Sequence, residues 1–252
     1  MKLTVLGAGP AYTDRRGSLG AAYLVRAGGR AILLDLGQGS FPELASRVEP
    51  SRLDAVFVSH LHPDHFVDLV SLRHYLRYQF EPGRRVAVYG PRGLDDRLDA
   101  LHAEPGFSAA ALDVRALGSE AVRIGELVVE PRRVTHTDES YAFRVSVGEA
   151  PGLVYSGDVG RSDDLVPLVH GGDALLVEVS FGPGPVPPGA QHLDGPAVGS
   201  LAATTKPSRV ILTHLQMGFG VDETIRSVER TFQGGVTLVK PGDELVIRGE
   251  PE

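Results

Sequence analysis

Apolar residues along this chain occur in short runs separated by turn residues, a pattern that predicts many β-strands and fewer helices. In the first half, strands are predicted over residues 3–6, 21–26, 31–35, 53–59 and 86–89. The pair Gly28-Gly29 indicates a hairpin between the second and third of these strands. Apolar residues at helical spacing predict helices over residues 42–48, 66–78 and 94–102.

The second half of the chain repeats this alternation. Strands are predicted over residues 127–130, 141–147, 153–156, 174–179, 209–212, 236–239 and 244–248, and helices over 194–203 and 221–232. Two β-rich halves with interspersed helices predict sheets packed face to face, with helices outside. Because no segment has the composition of a linker, one domain is predicted over residues 1–252.

The composition predicts a soluble globular protein. The 252 residues are 42% hydrophobic and 23% charged. No apolar stretch approaches the roughly 20 residues of a membrane span, and Gly7 interrupts the first strand too early for a signal peptide. A cytoplasmic location is therefore predicted. The formal charge of −7 argues against nonspecific nucleic-acid binding, which requires a basic face.

The absence of cysteine limits the kinds of metal site that the chain can form. Disulfides and thiolate zinc sites are excluded, so any metal must be held by His, Asp or Glu. The segment Leu6-Gly7-Ala8-Gly9-Pro10 partly matches the pattern of a dinucleotide-binding loop, but it lacks the third glycine and the helix that should follow. It is predicted instead to turn a strand.

The hexapeptide His60-Leu61-His62-Pro63-Asp64-His65 carries the strongest chemical signal in the sequence. It places three imidazoles and a carboxylate directly after the apolar run over residues 53–59. Packing these groups together is costly unless a cation neutralises and orders them. The hexapeptide therefore predicts a metal site on the loop where a buried strand ends.

Three further candidate ligands also follow apolar strands. They are His136, Asp158 and His214. A polar residue just beyond a strand lies in the loop layer at the sheet edge, where functional sites are usually built. Taken alone, each is an ordinary loop residue, and only the hexapeptide makes all three candidates for one site.

In order along the chain, these motifs resemble the metallo-β-lactamase superfamily. The resemblance implies an αββα sandwich, in which two mixed sheets are flanked by helices, with two divalent metal ions at one sheet edge. By the same resemblance, the first metal is held by His60, His62 and His136. The second is held by Asp64, His65 and His214, and Asp158 bridges both. Zinc fits these ligands, and manganese or iron occupies similar cages.

Two further residues indicate which branch of that superfamily the chain resembles. Glu178 ends an apolar strand, and His192 lies where a helix begins. The pair resembles the phosphodiesterase branch that includes ribonuclease Z, in which such a glutamate orients a histidine that serves as general acid. Asp64, Glu178 and His192 are accordingly the predicted catalytic residues. The alternative is that His192 caps the helix while Glu178 forms a local salt bridge.

The resemblance also bears on the substrate. Ribonuclease Z carries a basic tRNA-binding arm between the positions that match His136 and Asp158, and this acidic chain has no room for one. The chain is more similar to small bacterial cyclic-nucleotide phosphodiesterases, which implies a small phosphodiester substrate. Attack by a metal-activated hydroxide and protonation of the leaving oxygen by His192 are expected.

The same motifs are also compatible with other functions. One is a carboxylic ester, thioester or lactone hydrolase with the same metals, and another is RNA processing of the ribonuclease Z type. A third is a binding protein without catalytic activity, although the intact ligand set argues against it. The superfamily resemblance also allows a homodimer.

Overall fold

A computed structural model of the chain describes residues 1–247, so the last residue of the strand predicted over 244–248 lies outside the described part. Within residues 1–247, one seven-stranded sheet has the order β14-β1-β2-β3-β4-β5-β6. These strands are β1 (Lys2–Gly7), β2 (Ala22–Ala27), β3 (Arg30–Leu34), β4 (Ala55–Phe57), β5 (Val86–Gly90), β6 (Leu112–Ala116) and β14 (Glu244–Val246). Strands β3 to β6 pair in parallel, and the remaining pairs are antiparallel.

The second sheet in the described range also has seven strands, in the order β13-β12-β11-β10-β9-β8-β7. They are β7 (Val122–Ile124), β8 (Leu127–Val134), β9 (Ser140–Val147), β10 (Leu153–Tyr155), β11 (Ala174–Glu178), β12 (Arg209–Thr213) and β13 (Gly235–Leu238). Strands β10 to β13 are parallel, and β7 to β10 pair antiparallel. Each sheet is therefore mixed, as the sequence resemblance implies.

Helices cover the outer face of each sheet. They are α1 (Phe41–Arg47), α2 (Pro63–Phe66), α3 (Leu69–Tyr78), α4 (Leu94–His102), α5 (Gly195–Thr205) and α6 (Val221–Glu229). Leucines of α1, α3 and α4 pack on the first sheet, and residues of α5 and α6 pack on the second. None of the helices within residues 1–247 has the length and apolarity that a membrane crossing requires.

The central strands β3 and β11 are largely apolar because both of their faces are buried. In β3, Ile32 and Leu34 point into the core between the two sheets, while Leu33 contacts the helix layer. In β11, Leu176 faces the inter-sheet core, and Leu175 and Val177 face α5 and α6. Side chains alternate between the two faces of a strand, so a buried strand needs apolar residues at every position. The predicted αββα sandwich is confirmed.

The structure differs from the sequence prediction at three places. Strands β6 and β7 were not predicted, because β6 carries charged residues between its apolar ones and β7 has only three residues. The helix predicted over 66–78 is two helices, α2 and α3, which are separated by Val67 and Asp68. There the Asp68 carboxylate accepts a hydrogen bond from the Phe41 N–H group (2.8 Å) and ties the break to the start of α1.

A buried ion pair joins three strands of the second sheet at the ends remote from the histidine cluster. Asp173 accepts hydrogen bonds from Arg144 Nε (2.8 Å) on β9 and from the Gly152 N–H group (2.6 Å) before β10. Burial would raise the pKa of Asp173, but the hydrogen bonds from Arg144, Gly152 and His170 hold it below its usual range. The folded state therefore favours the charged carboxylate.

Asp173→Asn is expected to lower the free energy of unfolding by about 3 kcal/mol at pH 7, because it removes the buried carboxylate that pairs with Arg144 and leaves that guanidinium only the partly exposed Glu130 as a partner. A depressed folded-state pKa stabilises the fold above the unfolded-state pKa of about 4, and this contribution is lost as pH falls through the folded-state pKa. The difference between wild type and variant in urea denaturation should therefore shrink in acid. Asp113→Asn is the control, since it breaks an exposed pair with Arg115. Equal effects of the two substitutions would contradict this account.

Candidate metal centre

All seven predicted metal ligands lie together at one edge of the two sheets. The hexapeptide follows β4, and His136, Asp158 and His214 follow β8, β10 and β12 respectively. Their ligand atoms form two close groups, in each of which the atoms lie within 4.8 Å of one another. The groups are His60, His62, His136 and Asp158, and Asp64, His65 and His214.

Asp158 lies between the two groups and presents one carboxylate oxygen to each. Its Oδ2 atom is 3.8 Å from His60 Nε2 and 3.7 Å from His136 Nε2. Its Oδ1 atom is 3.3 Å from His65 Nε2 and 3.5 Å from His214 Nε2. This division of the two oxygens is the arrangement that a bridging carboxylate requires.

The contacts within each group have similar lengths. Asp64 Oδ2 is 3.3 Å from His214 Nε2 and 3.7 Å from His65 Nε2. His62 Nδ1 is 3.2 Å from His136 Nε2 in the other group. Ligand atoms about 2.1 Å from a tetrahedral zinc ion are separated by roughly 3.4 Å. The side chains thus have the spacing of metal ligands.

Hydrogen bonds outside the cluster orient four of the imidazole rings. In each ring Nδ1 contacts a neighbouring group, which leaves Nε2 directed into the cluster. The partners are Ser59 Oγ for His60 (3.1 Å), Asp35 Oδ2 for His65 (2.7 Å), the Gln191 carbonyl for His136 (2.7 Å) and Ser180 Oγ for His214 (3.0 Å). Such outer partners fix the tautomer and the ring plane of metal-binding histidines.

Asp35 supports the cluster through several hydrogen bonds, a role that was not predicted from the sequence. Its carboxylate accepts hydrogen bonds from the Ser59 N–H and hydroxyl groups (2.6 and 2.7 Å), from Tyr155 (2.6 Å) and from His65. It is fully buried, and its backbone has a φ of 60°. The sequence does mark Asp35 as a candidate, because it follows an apolar strand as His136, Asp158 and His214 do.

Two buried polar atoms in the cluster lack any hydrogen-bond partner. They are His60 Nε2 and Asp158 Oδ1, and an unpaired buried polar atom is costly. A cation between the two ligand groups would satisfy both atoms. The His/Asp cluster therefore fits a divalent metal and is capable of binding one.

The protonation of the cluster also indicates a site that favours positive charge. Burial would raise the pKa of Asp158, but His214 and His65 hold it well below its usual range. Burial would lower the pKa of His65, but the carboxylates of Asp158 and Asp35 hold it well above its usual range. The buried carboxylates thus need a positive partner, which a bound cation supplies in place of protons.

Two glycines allow the backbone to approach these ligands closely. Gly157, just before Asp158, has a φ of +56°, and a Cβ atom there would lie 2.9 Å from Ser59 Cβ. At Gly37, a Cβ atom would lie 1.8 Å from the Asp64 carbonyl oxygen. Only glycine avoids the strain and the overlap at position 157 and the overlap at position 37.

Glu178 and His192 meet beside the cluster. Glu178 Oε1 accepts a hydrogen bond from His192 Nδ1 (2.8 Å), and Oε2 accepts one from the Ser180 N–H group (3.0 Å). Burial would lower the pKa of His192, but the hydrogen bond and charge of Glu178 raise it to about 9. The side chain of His192 is 18% exposed, and its Nδ1 atom lies 3.9 Å from Asp158 Oδ2. Helix α5 is capped by Asp194 instead, whose side chain accepts a hydrogen bond from the Ala197 N–H group (2.9 Å).

A cavity of about 350 Å³ opens onto the cluster. Its lining combines ligand side chains with His192 and with the loop after β1. The residues are Pro10, Ala11, Tyr12, His62, Pro63, Asp64, Asp158, His192, His214 and Gln216. Its size is that of a small-molecule site.

The chain belongs to the metallo-β-lactamase superfamily. Residues 30–215, more than half of the chain, match the family model described as "Beta-lactamase superfamily domain". Over 255 residues, which cover 98% of this chain and 89% of the relative, the chain is 32% identical to an uncharacterized protein of Mycobacterium leprae. It is also 25% identical, over 96% of its length and 98% of the relative, to YhfI of Bacillus subtilis, named a "probable metallo-hydrolase".

Solved structures agree with this assignment at the level of the fold. The crystal structure of YhfI superposes with a TM-score of 0.86 at 24% identity, covering 97% of this chain and 98% of that one. The short form of human tRNase Z superposes with a TM-score of 0.74 at 22% identity, covering 98% and 100%. The predicted resemblance is confirmed: the chain is a member of the β-lactamase superfamily of metallo-hydrolases, and its relatives include ribonuclease Z 2 of Schizosaccharomyces pombe, 28% identical over 84% of this chain and 33% of the relative.

Proposed function

We propose that this protein is a phosphodiesterase that uses two divalent metals to hydrolyse a small phosphodiester such as a cyclic nucleotide. The observation that carries the proposal is the buried Glu178 carboxylate, which holds His192 beside Asp158 and inside the cavity. His60, His62 and His136 would hold one metal, Asp64, His65 and His214 the other, and Asp158 both. Zinc is the ion that this donor set fits best.

When bound, the two ions would activate water and stabilise the negative charge that develops at phosphorus. The chain itself supplies the remaining proton transfer. Phosphodiester hydrolysis leaves an alkoxide, which must be protonated, and a histidine suits this step near neutral pH. Because Glu178 accepts a hydrogen bond from Nδ1 of His192, the Nε2–H group of His192 is the one that can protonate the leaving oxygen.

The position of His192 favours this proposal over hydrolysis of a carboxylic ester, thioester or lactone. Those reactions depend chiefly on a donor for the oxyanion that forms on the substrate carbonyl, in addition to protonation of the leaving group. A histidine exposed and distant from the metal ligands would have supported them. Instead, His192 is largely buried and oriented by a carboxylate.

The fold also favours a small substrate over tRNA, although tRNase Z is a structural neighbour. Between His136 and Asp158 the chain forms only β9, β10 and a short turn, so that interval contains no protruding arm. The formal charge of −7 is poorly matched to a polynucleotide. A cavity of about 350 Å³ suits one nucleotide-sized molecule.

A substrate panel tests the proposal. Zinc-loaded protein would be assayed with bis(p-nitrophenyl) phosphate, 3′,5′-cyclic nucleotides, a precursor tRNA, a lactone and nitrocefin. We expect turnover of the first two and no cleavage of the tRNA. Activity on the lactone or nitrocefin alone, with no phosphodiester turned over, would overturn the proposal.

A further inference from the structure

The cavity at the metal cluster has two chemically different sides. Part of its lining is the Asp64, Asp158 and His214 side chains, and another part is an apolar wall from the loop after β1, with Pro10 and Ala11. That wall contains Tyr12, which is 64% exposed, although large apolar side chains are usually buried. Within residues 1–247, Tyr12 makes no side-chain hydrogen bond or ring contact.

The loop that carries Tyr12 is held firmly in place. Arg15, three residues later, donates hydrogen bonds to the carbonyl oxygens of Leu215 (2.9 Å), Gln216 (3.1 Å) and Phe219 (2.7 Å). These carbonyls belong to the segment that directly follows the ligand His214. The loop that carries Tyr12 is thus linked through Arg15 to the segment after His214.

We propose that Tyr12 is a specificity-determining residue that stacks on a planar aromatic ring of the substrate, and that this ring is a nucleobase. This inference rests on the proposed function, because it takes the phosphodiester to be bound at the metal side of the cavity. A nucleotide joins a phosphate and a planar aromatic group at a distance that one small cavity can span. Every nucleobase has a π-face that can stack on a tyrosine. The site would therefore select for the presence of a nucleobase and would not distinguish one base from another.

Calorimetric binding of product-like ligands tests this role without relying on turnover. Zinc-loaded wild type and Tyr12→Ala would be titrated with adenosine 5′-monophosphate and with ribose 5-phosphate, which lacks the base. We expect Tyr12→Ala to weaken binding of the nucleotide about 5- to 100-fold, the range for loss of one stacked base, with a much smaller effect on ribose 5-phosphate. Tyr12→Phe keeps the ring and is expected to restore the affinity.

The matched control is Tyr78→Ala, because Tyr78 is an equally exposed tyrosine (69%) on helix α3 outside the cavity lining. It should leave both affinities unchanged.

Unchanged nucleotide affinity in Tyr12→Ala would overturn the inference, and so would an equal loss for both ligands. If Tyr12→Ala altered only the oligomeric state in gel filtration, Tyr12 would belong to an interface between copies. A protein that binds the nucleotide through Tyr12 but turns over only a lactone would refute the proposed function and leave the stacking role standing.

Discussion

Replacing Asp158 by asparagine is expected to reduce kcat/KM for bis(p-nitrophenyl) phosphate by about 10³-fold or more, because a bound metal pair contributes several kcal/mol to transition-state stabilisation. The two carboxylate oxygens of Asp158 face two different groups of ligands. Asparagine is neutral and offers a single acceptor oxygen, so it cannot serve both groups.

The control for this variant is Asp96→Asn, which changes an exposed aspartate on α4 that belongs to neither ligand group. It should retain wild-type activity and metal content. Circular dichroism and thermal unfolding of Asp158→Asn would show whether the fold persists. An Asp158→Asn protein that is folded and retains more than about a tenth of wild-type activity would contradict the shared-carboxylate account.

Replacing His192 by alanine is expected to have the second largest effect, and the effect should depend on the leaving group. For a cyclic nucleotide, whose leaving group is an alkoxide, loss of the general acid should lower kcat by about 10²- to 10⁴-fold. For bis(p-nitrophenyl) phosphate the decrease should be much smaller, because p-nitrophenolate leaves without a proton. Glu178→Gln should give an intermediate loss with the same dependence on the leaving group.

Metal analysis separates this chemical role from a structural one. His192→Ala should retain the wild-type metal content, and His170→Ala, which removes an exposed histidine, should behave as wild type. Equal losses on both substrates would contradict the general-acid role. Loss of metal in His192→Ala would instead make His192 a ligand, which its proximity to Asp158 and His214 allows.

The residues that could be predicted from the sequence are those whose position depends on local structure. His60, Asp158 and His214 each follow a short apolar strand, and the end of a strand can be recognised from a few neighbouring residues. Likewise, the apolar runs of β3 and β11 show that both faces of these strands are buried. For this reason the layers of the fold, and the sheet edge at which the site lies, could be predicted from the sequence.

The features that were missed depend on contacts between distant segments. Asp35 follows an apolar strand, which marks it as a candidate, but its supporting role depends on His65 and Tyr155, and no sequence spacing connects these residues. The edge strands β6 and β7 are short and partly charged, and they become strands because β5 and β8 offer unpaired backbone groups. Tyr12 lies on a loop that Arg15 links to the segment after β12, a contact between residues about 200 positions apart.

The most direct test of the central claim is the metal content of the purified protein. The chain would be dialysed against a chelator, reloaded with zinc, freed of excess ion and analysed by mass spectrometry together with Asp158→Asn. We predict two zinc ions per wild-type chain and a substantially lower content in the variant. Less than one ion per wild-type chain, or the same content in both proteins, would contradict a two-metal centre built around Asp158.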